Sequence, residues 1–149
     1  LLLSGYGEKI SNTKIPDTYH FLLINPNLHL STKKVFNEYK NSIINDTLNT
    51  DIYFEDIKIF NSLLNSAMSL ASPISGILSH LKNATNIVAS GMTGSGSTCF
   101  GIFKNINDIK IFLKSFNQIT NNSFFIWYGK KQNYNFNRVT ISKVLENKL

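Results

Sequence analysis

The residues of this chain best suited to chemistry lie in Met92-Thr93-Gly94-Ser95-Gly96-Ser97-Thr98-Cys99-Phe100-Gly101-Ile102-Phe103. Glycines at alternate positions let the backbone pass through φ > 0 and let its N–H groups converge on an anion, so Gly94, Ser95, Gly96 and Ser97 are candidates to lie beside a phosphate. A Gly-Ser-Gly turn joining two buried strands would have the same sequence, and the loop alone leaves both readings open. Other reactive side chains offer less. His20, His29 and His80 have no metal-ligand spacing. Asp51, Glu55 and Asp56 cluster where a helix is expected to start, and carboxylates there favour the helix dipole. Cys99 falls in an expected buried strand with no base implied beside it, which reads as a structural thiol.

The loop must be held by the apolar runs around it. Asn86-Ile87-Val88-Ala89 before it and Thr98 to Phe103 after it read as two strands. Tyr19 to Asn25, ended by Pro26, reads as a third, and Phe124 to Tyr128 as a last. Ser31 or Thr32 offers an N-cap for a helix through Val35, Phe36 and Tyr39. Ile57, Phe60, Leu63, Leu64, Ala67 and Met68 recur at spacings of three and four, which predicts an amphipathic helix opening at Phe54-Glu55-Asp56. Ser72-Pro73 interrupts it and starts another helix through Ile74, Ile77, Leu78 and Leu81. A further helix from about Asn107 carries Ile109, Phe112, Leu113 and Phe116 on one face. This order implies an α+β fold, a mostly antiparallel sheet with helices packed on one face.

With 149 residues, 42% of them hydrophobic, the chain can build one domain with a true core. No apolar run suggests a membrane span, and the opening Leu1-Leu2-Leu3-Ser4 has neither the length nor the basic flank of a signal peptide. A single cysteine precludes an intrachain disulfide and fits a cytoplasmic protein. The first residue is Leu, so the sequence is expected to start in mid-protein. The net charge of +6 points toward nucleic acid, but Arg138 is the one arginine, and the lysines accompany abundant Asn and Ile. That combination reads as compositional drift, except in the tail, where Lys130, Lys131, Arg138, Lys143 and Lys148 face only Glu146.

Four segments carry a resemblance. Gly5-Tyr6-Gly7-Glu8, Asn25-Pro26 followed by Leu30-Ser31-Thr32-Lys33-Lys34-Val35-Phe36, Asn61 to Ile74, and Met92 to Phe103 stand in one order along the chain. They resemble, in the same order, the C-terminal half of the 4-diphosphocytidyl-2-C-methyl-D-erythritol kinase family. That family belongs to the galactokinase, homoserine, mevalonate and phosphomevalonate (GHMP) kinase superfamily. Ser62 stands where the family usually has Asp, and Pro73 lies one residue later than in its pattern.

The resemblance implies transfer of the ATP γ-phosphoryl group, with Mg2+, to the 2-hydroxyl of the cytidine-linked methylerythritol. It implies that Thr32 and Phe36, one helical turn apart, form a wall of the substrate cleft, with Phe36 stacked on cytosine and Thr32 bonding near the base or sugar. Gly94, Ser95, Gly96 and Ser97 would support the phosphate-binding loop of an N-terminal kinase lobe, and Glu8 would anchor the junction. The family's principal ATP loop, its catalytic Asp and its catalytic Lys have no counterpart here, so no catalytic residue is assigned to this chain. Residues 1–19 are expected to be the lobe junction, 20–130 the C-terminal domain and 131–149 a basic extension, with a small-molecule substrate, no nucleic acid and no membrane as partners. The rival reading is a non-catalytic nucleotide- or RNA-binding module using Phe124, Phe125, Trp127 and Tyr128. Strand alternation would split those aromatics between two faces.

Overall fold

The computed structural model describes residues 2–4, 9–11, 18–42, 52–54, 57–119 and 124–130. Strands β1 (Leu2–Ser4) and β2 (Lys9–Ser11) form a short antiparallel pair that the sequence reading did not anticipate. The Gly5 to Glu8 segment between them and the 131–149 extension lie outside the described residues.

The chain then runs through β3 (His20–Asn25), α1 (Thr32–Ser42), β4 (Ile52–Phe54), β5 (Ile57–Ile59), α2 (Leu64–Leu70) and α3 (Ser72–Lys82). It ends with β6 (Ile87–Met92), β7 (Cys99–Phe103), α4 (Ile106–Ile119) and β8 (Phe125–Lys130). Strands β6, β7, β3 and β8 lie side by side in that order, each antiparallel to its neighbour. The expected antiparallel sheet with helices on one face is the observed architecture.

Period-two alternation sorts the sheet residues. Leu22, Ile24, Cys99 and Phe103 point to the helix side, where they bury against Val35 of α1, Ala67 of α2, Ile74, Ile77 and Leu81 of α3, and Ile109, Phe112 and Phe116 of α4. Ile126 and Tyr128 of β8 also pack on this core, whereas Phe125 is exposed, so the last strand's aromatics are divided as alternation requires. On the other face Phe21, Phe100 and Ile102 meet Tyr19, Phe54, Val88, Ala89 and Ile59. Tyr19 and Phe54 make an edge-on contact with ring centroids 4.8 Å apart.

One expectation is overturned. The apolar spacing from Phe54 to Met68 does not form one helix: β4 and β5 pair antiparallel, Phe54 opposite Ile57, and the helix begins only at Leu64. The period-two run Ile52, Phe54, then Ile57, Ile59 is β-branched and aromatic, and Phe54 gains burial on the sheet. Phe60, which would have belonged to the buried stripe, is 62% exposed. Asp51, Glu55 and Asp56, the carboxylates expected at that helix start, lie outside the described residues.

The other helix boundaries follow their signals. Pro73 sits in the first turn of α3, where its missing N–H leaves no partner unmet. Ser31 precedes α1, accepting from Val35 N through its carbonyl at 3.1 Å and from Lys34 N through its hydroxyl at 3.5 Å. Asp108 in the first turn of α4 opposes the positive end of that helix. No helix among the described residues is long and apolar enough to cross a membrane.

Candidate functional site

The loop between β6 and β7 is closed by Thr93 N donating to Thr98 O at 2.9 Å and Gly96 N donating to Thr93 O at 3.0 Å. Both glycines adopt the left-handed conformation expected of them, φ +52° at Gly94 and +91° at Gly96. Their surroundings differ. A Cβ at Gly94 would meet open space, whereas one at Gly96 would press within 3.0 Å of Met92 Sδ and 3.1 Å of Leu30 Cδ2. Gly94 thus lies at the surface, and Gly96 anchors the loop on the core.

Three neighbouring segments hold the loop. From the end of β3 and the connection to α1, Asn25 Nδ2 donates to Thr98 Oγ1 at 2.8 Å, and Leu28 O accepts from Ser97 Oγ at 3.0 Å. At the start of α1, Thr32 Oγ1 and Ser95 Oγ share a hydrogen bond of 3.0 Å. Ahead of α2, Asn61 Nδ2 donates to Met92 O at 2.8 Å and to Gly94 O at 2.9 Å, while Asn61 Oδ1 accepts from Leu63 N at 3.0 Å.

The sequence-predicted residues divide accordingly. Thr32, Phe36, Gly94 and Ser95 are brought to one region: Thr32 is exposed and bonded to Ser95, and Phe36, one turn further along α1, is 46% exposed. Phe36 is therefore not a core residue; its neighbour Val35 fills that place, fully buried. Ser97 is buried, its hydroxyl committed to Leu28 O, so its side chain does not share the surface with Ser95. Asn61 and Asn25 were missed as site residues. The available signal was an Asn just ahead of a helix and another just ahead of a Pro, the positions where a short amide commonly bonds nearby backbone.

The electrostatics of this region come from backbone ends as well as side chains. Helices α1 and α3 both start beside the loop, α1 through the Thr32 contact and α3 through Ile74, whose Cδ1 lies 3.5 Å from where a Gly96 Cβ would be. Neither carries an acidic residue in its first turn, and Lys33 and Lys34 follow Thr32. Positive helix ends without a compensating carboxylate favour an anionic ligand. Cys99, just beyond the loop, is buried with its thiol pushed up to about 12 by desolvation, which leaves it protonated and inert. Among the described residues no cluster of His, Cys, Asp or Glu is fit to hold a metal ion.

Residues 51–119 match the family described as GHMP kinases C terminal. The chain is 35% identical over 133 residues to the 4-diphosphocytidyl-2-C-methyl-D-erythritol kinase of Clostridioides difficile, covering 79% of this chain and 45% of that protein. It is 29% identical over 147 residues to the enzyme of the same name from Prochlorococcus marinus, covering 85% of this chain and 47% of the other. A crystal structure of 4-(cytidine 5'-diphospho)-2C-methyl-D-erythritol kinase superposes with a TM-score of 0.62 at 18% identity, over 85% of this chain and 47% of that one. The chain spans about half the length of the curated relatives it matches. It carries a GHMP kinase C-terminal domain.

Proposed function

We propose that this chain is the C-terminal lobe of an ATP-dependent kinase acting on the 2-hydroxyl of 4-diphosphocytidyl-2-C-methyl-D-erythritol, a step toward isoprenoid precursors. The observation that carries the reading is the Thr32–Ser95 hydrogen bond, which joins the start of α1 to the glycine loop in one exposed region. In this reading Phe36 stacks on the cytosine ring and Thr32 bonds near the base or sugar. Gly94 and Ser95 lie beside the phosphates, with Gly96 and Ser97 fixing the loop behind them. Phosphoryl transfer depends on neutralising the equatorial oxygens and aligning the hydroxyl with the phosphorus, and the positive ends of α1 and α3 contribute to the first task. Among the described residues no cluster of His, Cys, Asp or Glu is fit to hold a metal ion, and in this reading deprotonation and Mg2+ binding belong to the phosphates and an N-terminal lobe. The lobe alone is inactive in this account.

The test is a titration of the 15N-labelled chain with cytidine diphosphate, followed by NMR. Amides from Lys33 to Phe36 should shift, and Phe36→Ala should weaken binding about ten- to a hundredfold, the worth of one base–aromatic stack. Shifts confined to the sheet residues around Phe125 and Trp127, appearing with single-stranded RNA and vanishing with salt, would replace the kinase reading by the nucleic-acid module.

A further inference from the structure

Asn61 commits both of its amide N–H groups to the backbone, donating to Met92 O and Gly94 O, while its oxygen accepts from Leu63 N. The two carbonyls it captures belong to the last residue of β6 and to the glycine at φ +52°. A carbonyl oxygen is the negative end of a peptide dipole, so a loop serving an anion must turn its carbonyls away from it. In a loop this rich in glycine nothing in the backbone's own preference fixes that orientation.

We propose that Asn61 is the positioning residue of the glycine loop, its carboxamide holding the Met92 and Gly94 carbonyls inward so that the exposed Gly94–Ser95 edge is presented to the phosphates of a bound nucleotide. The inference rests on the kinase reading for its ligand and on the hydrogen bonds alone for the clamp. Asn61 acts through the loop and touches no ligand. Its bond to Leu63 N ties the same side chain to the entry of α2, so the loop is referenced to the helical layer as well as to its own hairpin.

Asn61→Asp is the sharpest variant. It keeps the shape and the acceptor for Leu63 N, removes both donations, and sets a carboxylate against two carbonyl oxygens. Asn61→Ala removes the clamp without adding charge and covers the case in which the Asp variant does not fold. Asn83→Asp is the control: Asn83 Nδ2 donates to Ser79 O at 3.0 Å at the C-terminal end of α3, the same kind of side-chain-to-backbone bond away from the glycine loop. Each 15N-labelled chain is followed by amide hydrogen exchange and by titration with MgATP and with inorganic triphosphate. In the Asn61 variants the Thr93, Gly94 and Gly96 amides should shift and exchange faster, and triphosphate affinity should fall about tenfold, the effect of losing one to two hydrogen bonds. Asn83→Asp should lower thermal stability and leave both readouts unchanged. Loop amides and affinity that stay at wild-type values in the Asn61 variants would overturn the proposal. So would an equal loss of affinity in Asn83→Asp, which would make the effect one of general stability. If the wild-type chain binds no triphosphate, the phosphate reading falls, and the clamp is decided by the loop amides of the Asn61 variants.

Discussion

The two ends of the sheet are built on opposite electrostatic plans. At the glycine-loop end α1 and α3 begin with no acidic residue in their first turns, and Lys33 and Lys34 add positive charge. At the far end α4 begins with Asp108, which accepts from Asn86 Nδ2 at 3.2 Å, and α3 finishes with His80 and Lys82 in its last turn. Each dipole at the far end is met by a side chain of the sign it favours. Those at the loop end meet no carboxylate. In the proposed reading, the end without first-turn carboxylates is the one that faces the phosphates of the nucleotide.

The largest effect expected from breaking this contrast is at Gly96. Gly96→Val must force a side chain into φ +91° and against Met92 Sδ and Leu30 Cδ2, at a cost of about 2–4 kcal/mol in thermal unfolding. Gly94→Ala meets open space and suffers only the left-handed backbone, about 1–2 kcal/mol. The ordering of the two, read by circular dichroism, checks that one glycine anchors the loop and the other exposes it. At the far end Asp108→Asn should lose about 0.3–1 kcal/mol of stability and leave nucleotide binding untouched. Phe36→Ala should do the reverse, changing stability by about 0.5 kcal/mol or less while weakening cytidine-nucleotide binding.

The smallest effect near neutrality is at Cys99. Its folded-state value is raised from 9.0 to about 12, so its stabilising contribution is complete below pH 9 and is lost as the pH climbs from 9 toward 12. At pH 8 a thiol reagent should modify the native chain only as fast as it opens. Rapid stoichiometric labelling of the folded chain would contradict the burial.

Much of this was legible in the sequence, for physical reasons that differ by region. The strands of the main sheet are short runs ended by Pro26 or interrupted by glycine, and the helices α1, α3 and α4 carry caps or apolar stripes that only one face can bury. The stretch from Phe54 to Leu63 departs from the expected helix because its apolar residues satisfy spacings of three and two together. Burial of Phe54 against Tyr19, a tertiary contact, selects the strand. Within the site, the positive φ at Gly94 and Gly96 and the shared face of Thr32 and Phe36 follow from residue type and helical pitch. The burial of Ser97 and the two-carbonyl clamp of Asn61 do not, because they depend on which segments meet in space.

The measurement that tests the central claim most directly is ADP release by a chimaera in which this chain replaces the matching C-terminal half of the Clostridioides difficile kinase. With 4-diphosphocytidyl-2-C-methyl-D-erythritol, ATP and Mg2+, the chimaera should turn over in a substrate-dependent way, and this chain alone should not. A chimaera that folds cooperatively yet releases no ADP would contradict the assignment of this lobe to that kinase.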